Sequence, residues 1–538
     1  MTENIFMNQN PSNSLEGKIE SKFQNRYGLS FEEKNYSQIK EDSMNKELSL
    51  RNNFKEEIFL QKRIKQKLAK IDEDSKSEKI IDNLTISRDL YDKCYSMNVS
   101  LIQLKEILIA FNSKDVEQKY KGLVGLRKIL CLENPPIQLI LDMNILPKII
   151  ELLGDSPFEF KYESLWCLIN ISTKVEFNVS KIKYLGLIDK IISLLDYNLD
   201  EIKDLALWNI ENFCCDSPKI NKYLFEKKLC NKIITILFVN NNESIVIKCI
   251  SIIKNLIKCY NKENIKKDGY TTELNKVINI VSRIIMSIKY IQEKNDIRGL
   301  YYNSLFILTY LTENLIECRE SILKNGVLPY IIDLIIKCSE KDDIFIVIGG
   351  LKIIGNIISG NANQTQKALD YNIYGLLKKL MFHKNKRVKK EVNWILSNIA
   401  AGTERNIMEL IDNDFLPLLC RIFHKEDKEI RVEAIWTLCN LSQIKKDDYI
   451  KKLLNQGLLL LICECLKSEE SKDIAISLES LNNLLEYGKK NSIDGNNCIA
   501  YEIERLGMLD YLESLQYHPN EVIYEKALHT IETFFQIE

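Results

Sequence analysis

The chain has 538 residues, with 74 Lys and Arg against 75 Asp and Glu, for a net charge of −1. That balance excludes a general nucleic-acid coat or a membrane-surface binder and leaves any charge recognition to local patches. Only 19 Gly and 9 Pro in this length are too few turn formers for an all-β or glycine-looped α/β fold, so the chain reads as all-α.

Residues 1–80 differ from the rest. The opening MTENIFMNQNPSNS is polar and has no apolar core, which speaks against a secretory signal. Met44 to Lys70 carries eight basic residues against three acidic. Leu50, Phe54 and Ile58 recur every four residues beside Arg51, Lys55 and Lys62, the pattern of a basic amphipathic helix. It ends in a cluster, Lys62-Arg63-Ile64-Lys65. This is either a charged linker helix or a docking helix that folds on a partner.

From residue 81 to 505 a repeat dominates. Each of the four tryptophans is followed four residues later by asparagine: Trp166 and Asn170, Trp208 and Asn212, Trp394 and Asn398, Trp436 and Asn440. Weaker copies put Ser251 and Asn255, Phe306 and Tyr310, Lys352 and Asn356, and Glu479 and Asn483 in the same two slots. The steps between second slots are 42, 43, 55, 46, 42, 42 and 43, the long one falling at a polar insertion near Asn261 to Thr272. Tyr120 to Pro136 reads as a further copy with its signature worn away. Within each unit an apolar helix precedes a polar turn and then the W-x-x-x-N helix. A period of this length belongs to the armadillo/HEAT class, whose units stack into a superhelix because none can bury its apolar face alone.

Residues i and i+4 share a helix face, so each Trp lies beside its Asn. One reading is core packing. The other is a groove lining, since an amide recurring on one face must find partners. Carboxamides would then bond the backbone of an extended peptide, and parallel indole walls would hold the stems of Lys or Arg. Asp216 follows Asn212 by four, Glu391 and Glu433 each precede their Trp by three, and Glu313 follows Tyr310 by three. Carboxylates at slot ends would select cations.

The fifteen cysteines are scattered, mostly in apolar stretches, and show neither disulfide-framework nor zinc spacing, so thiols in a reducing compartment are expected, with no bound metal. The longest apolar runs, such as Ile344 to Leu351, are far short of a membrane span, and a soluble intracellular protein is expected. The four histidines (His383, His424, His518, His529) form no nucleophile–base motif and no phosphate loop is present, so neither an enzyme nor a cofactor is expected.

These repeats, with GNIISGNANQTQ (Gly355 to Gln366), SNIAAGT (Ser397 to Thr403), NPP (Asn134 to Pro136) and the tail from Gly507 to Phe535, resemble the importin-α family over nearly the whole chain. The resemblance implies a right-handed armadillo superhelix. It also implies an importin-β-binding segment at 1–80, whose Lys62, Arg63 and Lys65 occupy the chain's own groove, and an exportin-binding tail at 506–538. The implied role is an adaptor shuttling between cytoplasm and nucleus, binding cargo with basic nuclear localisation signals and linking it to importin-β, without nucleic-acid or membrane contact. The major site would be Trp166, Asn170, Trp208, Asn212, Asp216 and Asn255. The minor site would be Glu391, Trp394, Asn398, Glu433, Trp436 and Asn440, with Phe306, Tyr310, Glu313 and Asn356 between them. Lys258 and Lys352 match the basic residues that separate the sites. Ser251 replaces the family's third major-site tryptophan, Lys174 stands in a turn that is usually small, and Lys46 to Lys65 has fewer consecutive arginines. The minor site is therefore expected to carry the larger share of affinity. The alternative is an armadillo scaffold for extended peptides outside nuclear transport, which would lack the basic head and this tail.

Overall fold

A computed structural model of the chain describes residues 100–535, apart from 133–134, 173–185, 217, 241, 261–269, 288–294, 342 and 493–495, together with Leu90, Lys93 and Cys94. The readings at 1–80, including Lys62, Arg63 and Lys65, lie outside the described residues, as does Lys174. Among the described residues every element is a helix.

Ten helices, recurring about once per repeat, set the frame. They are α1 (Val116–Leu130), α2 (Phe158–Ser172), α3 (Asp200–Asp216), α4 (Glu243–Leu256), α5 (Asn295–Asn314), α6 (Ile344–Ile358), α7 (Lys386–Ala400), α8 (Lys428–Leu441), α9 (Ser471–Lys490) and α10 (Glu521–Phe534). Each packs against the next, so the forty-two-residue period of the sequence is the step from one of these helices to its neighbour. The W-x-x-x-N pairs sit on α2, α3, α7 and α8, the weaker copies on α4, α5, α6 and α9, and the worn copy on α1. This is an armadillo-type solenoid. Its core is a continuous run of aliphatic side chains, such as Leu165, Leu168, Ile210, Ile253 and Leu396, all fully buried or nearly so.

Most units carry a third, short helix that the sequence rhythm did not reveal. Before α7 these are Ala362–Leu369 and Ile373–Leu380, and before α8 Glu404–Asp412 and Phe415–Lys425. Eight or nine residues are too few for periodicity to speak, but their caps do. The Asn361 side chain accepts from Gln364 N while Gln364 reaches back to Asn361 N, and Thr403 with Asn406 repeats the arrangement. The apolar helix that follows is entered through a residue in the left-handed region: Asn144, Gly186, Lys228, Gly326, Asn372, Asp414, Gly457 or Gly507. Seven of these eight are Gly, Asn or Asp, the types that tolerate positive φ. Lys228 is the exception.

All fifteen cysteines are free thiols, most of them buried. No helix among the described residues is long and apolar enough to cross a membrane.

Candidate functional site: the tryptophan–asparagine rows

Stacking α1 to α9 side by side turns the two slots of each unit into two rows across neighbouring helices. None of the four tryptophans belongs to the buried core: Trp166, Trp208, Trp394 and Trp436 are all half-buried while the residues flanking them are buried. Core packing therefore does not account for them.

The asparagines are tied to the preceding unit. Asn212 Nδ2 donates to Ser172 Oγ at 2.9 Å, Asn356 Nδ2 to Thr312 Oγ1 at 3.0 Å, Asn440 Nδ2 to Ser397 O at 3.4 Å, and Asn483 Nδ2 to Ser442 Oγ at 3.1 Å. Asn170 and Asn255 reach sulfur instead, Cys131 Sγ at 3.1 Å and Cys215 Sγ at 3.9 Å. Each acceptor sits at or just past the C-terminal turn of the neighbouring long helix. The groove reading gave these amides to a ligand; the structure gives one N–H of each of these six to the solenoid. A carboxamide has two N–H donors and an acceptor oxygen, so this bond orients the group without exhausting it. Asn398 is half-buried in the corresponding position on α7.

The indoles do not form parallel walls at the N-terminal end. Trp166 and Trp208 meet edge to face, with ring centroids 5.6 Å apart and planes at 64°. A side-chain stem held between two ring faces needs roughly 7–8 Å, so that slot is corrected to an aromatic contact. Lys248 Nζ lies over the Trp208 ring at 5.7 Å. Asp216 ends α3.

Between the two pairs, Tyr302, Phe306 and Tyr310 share one face of α5. Lys258 Nζ lies over Phe306 at 5.3 Å, and the Tyr310 hydroxyl donates to Lys258 O at 3.4 Å. Glu313 is exposed and Asn356 is buried.

At the C-terminal pair, Trp394 rests on Gly355 of the preceding long helix, so closely that a methyl group there would enter the six-membered ring. Only a glycine leaves that bed. Glu433 Oε2 accepts from Ser397 Oγ at 2.9 Å. Glu391 is half-buried, and burial pushes its carboxyl above the usual 4.5, with Lys352 and Lys390 drawing it back and Glu433 and Glu313 raising it. Carboxylates crowded in this way favour an incoming cation.

The position three before the aromatic slot holds a third acid that the pattern did not single out. Glu163 on α2 is buried and paired with Arg127 Nε of α1. Burial alone would lower the Arg127 guanidinium, but Glu163 beside it holds it above its ordinary value. The partner lies 36 residues away, so the sequence could not have shown it.

Comparison with known proteins fits this architecture. Residues 403–443 match the Armadillo/beta-catenin-like repeat family and residues 497–538 the Atypical Arm repeat. An engineered protein of known crystal structure superposes with a TM-score of 0.61 over 82% of this chain and 100% of its own at 17% identity, a likeness of fold alone. The molecule is an armadillo-repeat protein. Importin subunit alpha-2 of Arabidopsis thaliana is 30% identical over 429 residues, 79% of this chain and 77% of its own. Importin subunit alpha-3 of the same plant is 28% identical over 518 residues, 95% of this chain and 91% of its own. Importin subunit alpha-1b of Oryza sativa subsp. japonica is 28% identical over 438 residues. The chain belongs to the importin-α family.

Proposed function

We propose that this importin-α chain is a nuclear-import adaptor without catalytic activity. It binds basic nuclear localisation signals along the tryptophan–asparagine rows, links them to importin-β through residues 1–80, and meets a recycling exportin through 506–538 as it shuttles between cytoplasm and nucleus. The stretch 81–505 is the repeat array that carries the groove. When no cargo is bound, Lys62, Arg63 and Lys65 take its place. The observation that supports this reading best is the C-terminal pair. There, half-exposed Trp394 and Trp436 stand beside Asn398, the oriented Asn440, and Glu391 and Glu433. At the N-terminal pair, by contrast, Glu163 is already neutralised and the indoles touch each other. Phe306, Tyr310, Glu313 and Asn356 form the stretch the peptide crosses between the two.

The test is a titration with a labelled Lys-Lys-x-Lys peptide. Replacing Trp394 and Trp436 by Ala costs more affinity than replacing Trp166 and Trp208. The reverse order refutes the assignment. Removing residues 1–80 tightens binding if the basic cluster occupies the groove, and unchanged binding removes that element.

A further inference from the structure

The position three before the aromatic slot holds Glu163 on α2, Glu391 on α7 and Glu433 on α8, but on α4 it holds Lys248. The ammonium of Lys248 is built into the fold. Its Nζ bonds Asp204 Oδ1 of α3 at 2.7 Å and Ser244 Oγ at 2.6 Å, lies 5.7 Å from the Trp208 ring centroid, and the side chain is only 12% exposed. One turn further along the same helix, Ser251 supplies no ring to compete for that face of Trp208. An aromatic face with a carboxylate at its end is the arrangement that would otherwise receive a cationic side chain from a ligand.

We infer that Lys248 is an internal occupant of the Trp208 slot, making this step of the groove refuse Lys or Arg and take an uncharged side chain. This rests on the peptide-binding reading above and deepens it, assigning the chain its own specificity at the α3–α4 step. A ligand cation arriving there meets a like charge already satisfied by Asp204, and it gains the indole face only by expelling Lys248. The Arg127–Glu163 pair is a second internal ion pair in the N-terminal part of the rows.

The experiment uses the full chain with Trp394→Ala and Trp436→Ala, so that binding through α2 to α4 is what remains, and compares it with the same chain also carrying Lys248→Ser. Probes are a Lys-Lys-x-Lys peptide and copies with each lysine in turn replaced by glutamine, followed by fluorescence anisotropy. The expected result is a gain of roughly threefold to thirtyfold for the all-lysine peptide on Lys248→Ser, the range of one cation–π contact. In the parent, one glutamine copy binds at least as well as the all-lysine peptide, and this tolerance disappears in the variant. An unchanged or weakened affinity in the variant overturns the inference. Lys248→Met keeps the stem over the indole and removes only the charge; it must abolish the preference for glutamine, and if it does not, the inference fails even where Lys248→Ser does not fold. The function itself is judged separately, by whether the chain with all four tryptophans intact binds the all-lysine peptide.

Discussion

The carboxamide of Asn212 and the hydroxyl of Ser172, forty residues apart, are joined by a buried hydrogen bond of 2.9 Å between neighbouring long helices. Ser172 itself donates to Ile169 O at 2.9 Å, so it stays satisfied as a donor when Asn212 is removed. Asn212→Ala should therefore cost about 1 kcal/mol, the net worth of one such bond, read as a lower urea midpoint. Peptide affinity should fall further than stability, because the substitution also removes the amide's second N–H and its oxygen from the ligand. A variant with weakened folding and unchanged peptide binding would confine Asn212 to a structural role.

Gly355 and Trp394 offer a sharper case. Adding a methyl group at 355 drives it into the indole. Gly355→Ala should destabilise the chain by about 1–3 kcal/mol, the usual cost of overpacking, and should displace the ring enough to weaken the C-terminal pair. Tryptophan fluorescence and peptide titration read both effects; an unshifted emission spectrum with full affinity would contradict the placement.

The repeat was legible in the sequence because Trp is scarce and each of the four has an Asn on the same helix face, four residues on. The rest has no such rare marker. The left-handed entry to each apolar helix is as regular as the tryptophans, but it is written in Gly, Asn and Asp, which also occur elsewhere, and Lys228 breaks it. The acids at Glu391 and Glu433 were readable by register. That Glu163 in the same register is neutralised, and that Lys248 is held in place over Trp208, depend on partners in the neighbouring unit, Arg127 and Asp204. Pairings across a stack are set by side-chain reach between helices, which the order of residues along one helix does not encode.

Lys228 enters its helix at φ 56°, a conformation that costs an L-residue about 1–2 kcal/mol. Glycine removes that strain and gives back part of the gain as chain entropy. Lys228→Gly should raise stability by roughly 0.5–1 kcal/mol, visible as a higher Tm, whereas Gly326→Lys at the equivalent turn should lower it. Equal melting temperatures for both variants would remove the turn from the account.

Glu273 is buried with Tyr260 and Cys230, and its carboxyl is raised above the usual 4.5, by burial first, with Tyr260 and Cys230 drawing it partly back. A raised acid favours its neutral form in the fold. The stability it confers is thus complete below 4.5 and is lost as pH climbs through the raised value. Glu273→Gln should flatten that decline: its Tm should exceed that of the parent at about pH 8 and converge with it near the acid end. Parallel curves for the two proteins would show that Glu273 does not titrate in the fold.

Glu391 carries the same sign into binding. Its carboxyl is raised by burial, and Lys352, Lys390, Glu433 and Glu313 face it. A ligand cation beside it stabilises the charged form and pulls the value down, so binding releases a proton in the interval just below the raised value. Affinity for a basic peptide should accordingly fall as pH drops through that interval and level off above it. Calorimetry in two buffers of different ionisation enthalpy should detect the released proton there and not at about pH 8. Glu391→Gln should lower affinity at neutral pH and remove most of the slope below it; a slope of undiminished size would separate Glu391 from the cation.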